Sequence, residues 1–137
     1  MKWFDSNTSY SLIELKQADF MNGTVRITKP GIYVLNENII FNPNENNDFF
    51  PRMDQLSQYP MGNSGPFHLG FFAAITIESD NVILDLNGKT ITQSSLHNIE
   101  QRFYAHIELA SSPFIPNQGP GNFGSSIKMP KNVCILN

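Results

Sequence analysis

The chain has 137 residues, a formal net charge of −3 and a charged fraction of 15%. This length is enough for one domain with its own hydrophobic core. The slight negative charge argues against nucleic acid as a partner, because such binding depends on clustered positive charge. The low charged fraction, with abundant Asn, Ser and Phe, favours the weakly charged surface of a secreted or virion protein.

Two further features limit the class of protein. The single cysteine, Cys134, lies in an apolar run, so a buried thiol is expected and an intrachain disulfide framework is excluded. No apolar run is long enough for a membrane span, and residues 1–5 do not begin a signal peptide. Secretion by a cleaved signal is therefore not supported, and the preference for a virion or extracellular surface depends on composition alone.

The first predicted element is a short capping helix over residues 11–22. Ser11 and Glu14 have the spacing of a capping box, and Asn22-Gly23 is a typical stop. The apolar side of this helix consists of Leu12, Leu15 and Phe20. Such a helix would cover the open end of a stack of strands.

Strands are predicted next. They cover residues 24–28, 31–35, 39–41, 74–77, 82–86 and 89–92, and residues 126–137 begin a third unit of strand, corner and strand. Three times, an apolar segment meets a short polar corner whose last residue is Asn, followed by Ile39, Val82 or Val133. This repetition predicts a parallel β-solenoid in which these three residues stack in register and face inward. A β-hairpin about Asn87-Gly88, pairing residues 82–86 with residues 89–92, is the alternative.

Two long loop insertions interrupt the pattern, at residues 43–73 and 93–125. Loops of this length are usually functional or pack on themselves. Residues 107–109 are a possible strand within the second. The candidate contacts with carbohydrate or a partner are the aromatic residues Phe49, Phe50, Tyr59, Phe67, Phe71 and Phe72. Packing of these rings against the strands is favoured over a sugar-binding surface, since Phe lacks a polar group, and a subunit interface is the third interpretation.

No catalytic residue, metal site or cofactor is predicted. Asp80 and Asp85 are the best carboxylate candidates, but Asp80 is expected to bind turn amides and Asp85 to point outward into solvent. The acidic residues Glu45, Asp48 and Asp54 match no calcium-binding loop. The histidines His68, His97 and His106 are dispersed and lack metal-ligand spacing.

Residues 30–39 and, above all, 75–91 resemble the opening coils of right-handed parallel β-helix proteins of the pectin-lyase-like fold. The most characteristic stretch is VILDLNGKTI at residues 82–91. Some members of this family are bacterial carbohydrate-active proteins, and others are encoded by large DNA viruses. The resemblance implies an all-β fold in which residues 1–137 are a single domain, the N-terminal part of a β-solenoid. Catalytic groups in active members lie on later coils, so none is carried over.

The expected function is a structural or binding module, the N-terminal end of a β-helix protein on a virion or cell surface, with carbohydrate as the candidate ligand. The alternative is the non-catalytic N-terminal part of a polysaccharide lyase or glycoside hydrolase. The apolar run at residues 133–136 has no polar cap after it. Further coils of the same chain, or another protein subunit, are therefore expected to cover it, and self-association through this end is a third possibility.

Overall fold

The computed structural model describes residues 9–44, 52, 54, 73–100, 104–109 and 129–137. Within these residues the strands are β1 (Leu12–Leu15), β2 (Val25–Ile27), β3 (Gly31–Leu35), β4 (Ile39–Phe41), β5 (Ala73–Ile77), β6 (Val82–Asp85), β7 (Ile91–Gln93), β8 (Ala105–Glu108) and β9 (Val133–Leu136). A 3₁₀ helix spans Gln17–Phe20 and a short α-helix, α1, spans Ser95–Glu100.

All strand pairs in the described residues are parallel. The first sheet has the order β1-β3-β6-β9, the second sheet β2-β5-β8, and the third sheet β4-β7. Strands β3, β4 and β5 enter the first, third and second sheets in turn, and β6, β7 and β8 repeat that order. The prediction of a β-rich chain with little helix is therefore confirmed.

Alternating apolar residues build the core. In β3 the buried positions are Gly31, Tyr33 and Leu35, and the residues between them are half-buried. Side chains that are almost completely buried come from all three sheets: Ile27, Leu35, Ile39, Phe41, Ile75, Ile77 and Leu84. Burying each of these side chains contributes about 1.5–3 kcal/mol, so the sheets are held together mainly by this shared core.

The predicted helix over residues 11–22 is wrong. Residues Leu12–Leu15 form β1, which pairs in parallel with β3, and only one turn of 3₁₀ helix follows. The amide of Ile32 donates to the carbonyl of Ser11, and the amide of Asn36 donates to the carbonyl of Leu15. This pairing with a distant strand outweighs the local capping signal at Ser11 and Glu14, because helix propensity is a weak preference.

The predicted stacking of Ile39, Val82 and Val133 is correct for only two of them. Val82 lies opposite Val133, whereas Ile39 lies in the third sheet opposite Ile91. The other neighbour of Val82 is Gly31. The reason is that the corner before Ile39 joins the first sheet to the third, while the corner before Val82 joins the second sheet to the first.

The expected burial of Cys134 also needs correction, because its side chain is only half-buried. Cys134 lies in β9, which pairs with β6 at one edge of the first sheet. Among the described residues, β9 has no strand on its other side, so its side chains are covered less than those of β6.

The alternative β-hairpin about Asn87-Gly88 is not formed. Strand β6 pairs with β3 and β9, and β7 pairs with β4. Asn87 and Gly88 have φ angles of 52° and 66°, the left-handed region that Asn and Gly adopt most readily. These residues therefore turn the chain from the first sheet into the third.

The boundaries of the predicted insertions need correction where the structure describes them. Ala73 begins β5 and Gln93 ends β7, so both residues belong to strands. The second insertion is interrupted by α1 and by β8, which starts at Ala105 rather than at the expected Ile107. None of the described helices has the length and apolar character needed to cross a bilayer.

Candidate functional site

The six aromatic candidates, Phe49, Phe50, Tyr59, Phe67, Phe71 and Phe72, lie outside the described residues, as does His68. The described ends of the insertions nevertheless lie side by side. Phe41, which ends β4, is opposite Gln93, which ends β7. Ala73, which begins β5, is opposite Ala105, which begins β8. The segments after β4 and β7 therefore leave the third sheet at adjacent points and enter the second sheet at adjacent points.

Polar contacts continue the strand pairing into the start of each insertion. The amide of Ser94 donates to the carbonyl of Phe41 at 3.1 Å, and the Ser94 hydroxyl donates to Asn42 Oδ1 at 3.2 Å. The guanidinium of Arg52 donates to Asn44 Oδ1 at 2.7 Å and to the Pro43 carbonyl at 3.0 Å. These bonds order the point at which both segments leave the third sheet.

A cluster of rings lies beside this point. His97 of α1 has its ring centroid 5.4 Å from that of Phe41 and 5.2 Å from that of Tyr104. Tyr104 also lies 5.7 Å from Phe41 and 5.2 Å from His106. His97 is completely buried, whereas His106 is exposed. The two histidines near this cluster therefore lie in very different surroundings.

The polar atoms of this ring cluster are only partly satisfied. The Gln93 side-chain amide nitrogen lies 2.8 Å from His97 Nδ1, so the two side chains are hydrogen-bonded. His97 Nε2 and the Tyr104 hydroxyl are buried and have no hydrogen-bond partner among the described residues. Burial lowers the pKa of His97 to about 4 and raises the pKa of Tyr104.

A second polar cluster lies on the second sheet. Arg26 of β2 and Glu78, just after β5, form a two-bond ion pair, with Nε–Oε2 at 2.8 Å and Nη2–Oε1 at 2.7 Å. The Thr76 hydroxyl also donates to Glu78 Oε2 at 2.8 Å. In register, Arg26 and Glu108 lie on either side of Thr76. The pKa of Glu108 is raised by burial.

A polar groove of about 350 Å³ adjoins this cluster, lined by Thr28, Glu78, Ser79, Asp80, Met129 and Pro130. Asp80 Oδ1 accepts the amide of Lys131 at 2.6 Å, which confirms the prediction that Asp80 binds turn amides. The residues that follow Asp80 and Lys131 are also hydrogen-bonded to each other, because Asn132 Nδ2 donates to Asn81 Oδ1 at 3.0 Å. These bonds connect the corner before β6 to the corner before β9.

The other predicted carboxylate, Asp85, is half-buried and accepts the amide of Asn87 at 2.8 Å. It lies at the far end of β6 from Asp80, so the structure does not bring these carboxylates together. In the part of the chain that the structure describes, no three His, Cys, Asp or Glu residues are grouped to hold a metal ion.

Sequence reasoning missed the Arg26–Glu78 pair, since 52 residues separate its members and no local motif marks it. It also missed α1, although the sequence contains a helix-start signal for it, the serine at position 94. Ser94 Oγ accepts the amide of His97 at 3.1 Å, the bond expected of an N-cap serine three residues before its partner.

Comparison with known proteins adds no functional label to this geometry. A scan against protein-family models and searches of curated proteins and of solved structures give no match to the chain.

Proposed function

We propose that these strands are coils of a right-handed parallel β-helix, and that the chain serves as a structural and carbohydrate-binding module on a virion or cell surface. The support for the fold is the repeated order in which the chain visits three parallel sheets. Crossover connections between parallel strands of one sheet are almost always right-handed. The left-handed Asn81 and Asn132, joined through their side chains, supply corners that repeat from coil to coil.

The observation that carries the binding role is the adjacency of the insertion ends. Segments of unequal length leave neighbouring strands at Phe41 and Gln93 and return at Ala73 and Ala105. In repeat proteins, insertions that leave from equivalent points form one face, which is often the binding face. A rigid stack that presents such loops is well suited to hold a ligand without itself changing shape.

Carbohydrate is the proposed ligand class because the first insertion contains the aromatic residues Phe49, Phe50, Tyr59, Phe67, Phe71 and Phe72. Aromatic rings supply large, rigid contact surfaces at low entropic cost. A module is favoured over an enzyme because the carboxylates of Glu78, Asp80 and Asp85 hold strands and corners through hydrogen bonds. A general acid or base needs a carboxyl group available to substrate.

The experiment compares the full chain with a variant in which residues 46–71 are replaced by a short Gly-Ser linker. Affinity electrophoresis against a panel of neutral and acidic polysaccharides measures binding, and circular dichroism verifies that strand content is kept. The matched control replaces residues 111–127 with the same linker. We expect the full chain and the control to bind at least one polysaccharide and the first variant to lose that binding.

Three results would contradict the proposal. The first is a full chain that binds no polysaccharide, and the second is a first variant that binds as tightly as the full chain. The third is cleavage of a polysaccharide by the full chain that is abolished by Asp85→Asn, which would favour an enzyme.

A further inference from the structure

The helix α1 has an unusual distribution of polar and apolar side chains. Its histidine, His97, is completely buried, while Leu96 is 47% exposed and Ile99 is 80% exposed. A surface helix normally buries its apolar residues and exposes its titratable ones. Here α1 is held to the core through an imidazole ring, so its attachment depends on that ring remaining neutral.

In the described residues, the contacts of His97 are with aromatic or uncharged polar groups. Phe41 faces it from β4, and Tyr104 faces it from the residue before β8. Gln93 and Ser94 are its polar neighbours on the preceding strand and turn. Tyr104 is itself titratable, and its ring also contacts that of His106. No described carboxylate contacts His97, and a protonated His106 would add a like charge.

The hydrogen bonding of His97 also opposes protonation. A cationic imidazole has two N–H donors and no acceptor. With the Gln93 amide nitrogen facing Nδ1 at 2.8 Å, a cationic ring keeps this bond only if the amide turns over and presents its oxygen. The Nε2 of His97 is buried and already lacks an acceptor among the described residues. Protonation therefore adds an unsatisfied charge to a buried ring cluster, which is costly.

We propose that His97 is an acid-sensitive switch, in which protonation of the buried imidazole releases α1 from Phe41 and Tyr104. Most core residues of the three sheets lie in the strands, and Phe41 is a core residue that also faces His97, so we expect the sheets to keep most of their core when α1 is released. Release detaches α1, whose Leu96 and Ile99 are already exposed, at the edge where the insertion ends meet. Acidification would thus alter the edge where the insertion ends meet, while the three sheets stay folded.

The direction and size of the effect follow from proton linkage. Burial lowers the pKa of His97 from its ordinary value of 6.5 to about 4, so the packed state binds fewer protons than the released state between those values. The packed state is most favoured above pH 6.5 and loses stability as the pH falls towards 4. For this single group, the release equilibrium rises about 30-fold between pH 8 and pH 5.

Hydrogen exchange on the full chain, measured by NMR and corrected for intrinsic exchange rates, tests this switch. We expect the opening equilibrium of residues 94–104 to rise about 30-fold between pH 8 and pH 5. The amides of β3 and β6 should keep their protection over the same range. The His97→Gln variant, which cannot take up a proton, should lose the pH dependence, whereas His106→Gln should retain it.

The proposal is overturned if opening of residues 94–104 does not change with pH in the full chain, or if His97→Gln retains the change. If His97→Gln fails to fold, His97→Phe is the second variant, and its pH dependence is judged in the same way. Imidazole NMR signals give an independent result. Titration of His97 near pH 6.5 without any increase in opening would also overturn the switch.

Discussion

The side-chain amide of Gln17 occupies the position of a neighbouring strand beside Ile40. Gln17 Oε1 accepts the backbone amide of Ile40 at 2.8 Å, and Gln17 Nε2 donates to the Ile40 carbonyl at 2.9 Å. In the described residues, β7 is the only strand paired with β4. The bonds from Gln17 therefore satisfy the backbone amide and carbonyl of Ile40 on the other edge of β4. Phe20, at the end of the same 3₁₀ helix, is fully buried. The helix therefore protects an edge that would otherwise be open to pairing with another chain.

Replacement of this amide should expose that edge. We expect Gln17→Leu, which keeps the approximate size of the side chain but makes neither bond, to lower the free energy of unfolding by about 1–2 kcal/mol. Hydrogen exchange at Ile40 should become faster. Urea denaturation and amide exchange measure the two effects. The control is Thr92→Ala, an exposed position on β7. Equal stability and equal exchange at Ile40 in the Gln17 variant and the wild type would contradict this role.

Much of the strand content could be predicted from the sequence, because it depends on local alternation of apolar residues. Strands β3, β4, β5 and β6 lie where that alternation indicates. The pairing of these strands is not a local property. Ser11 and Glu14 form a good capping signal, yet the carbonyls of Ser11 and Leu15 accept the amides of Ile32 and Asn36, which belong to a later part of the first sheet. A capping signal read from adjacent residues cannot reveal this competing partner.

The candidate site shows the same limit. The ion pair of Arg26 and Glu78 exists only because β2 and β5 pair in one register, and its members are 52 residues apart. The burial of His97 likewise depends on Phe41 and Tyr104, which other elements supply. Such contacts depend on which strands pair and in which register. Local patterns in a single sequence do not reveal that pairing.

The Arg26–Glu78 pair should stabilise the second sheet. The Glu78 side chain is only 4% exposed, so Glu78→Gln leaves the Arg26 charge without its buried partner. We expect Glu78→Gln and Arg26→Met each to cost about 3 kcal/mol, and the double variant to cost less than the two together. Denaturant unfolding of the wild type and the three variants gives the coupling energy.

The exposed pair of Lys16 and Glu14 is the matched control for that experiment. Its Nζ–Oε2 distance is 3.6 Å, and both side chains are more than half exposed. Glu14→Gln should therefore cost less than about 1 kcal/mol. Strict additivity of the Arg26 and Glu78 substitutions would contradict the stabilising role of their pair.

The left-handed corner at Asn81 should tolerate glycine better than alanine. Asn81 has a φ of 58°, a conformation that costs an alanine about 1–2 kcal/mol. We expect Asn81→Ala to be less stable than Asn81→Gly by about that amount, although both lose the bond to Asn132. Thermal or chemical unfolding measures the difference, and equal stability of the two variants would contradict it. Asn36→Ala, at an exposed asparagine without a positive φ, is the control and should have little effect.

Glu108 should make stability depend on pH. Burial raises its pKa, so the folded state holds this proton more tightly than the unfolded state. The stabilisation is complete below the ordinary pKa of a glutamate and is lost as the pH rises through the raised value. Glu108→Gln should therefore gain stability relative to the wild type as the pH rises from about 4 to about 8. If the stability difference between Glu108→Gln and the wild type is constant over this pH range, the pKa of Glu108 is not raised in the folded state.

The central claim is that β6 lies between β3 and β9 in a parallel sheet. Cross-strand nuclear Overhauser effects test this arrangement most directly. The account predicts amide and α-proton contacts that link Ile83 to Ile32 on one side and to Cys134 on the other. Contacts between α-protons of residues 82–86 and residues 89–92, the mark of an antiparallel hairpin about Asn87-Gly88, would contradict it.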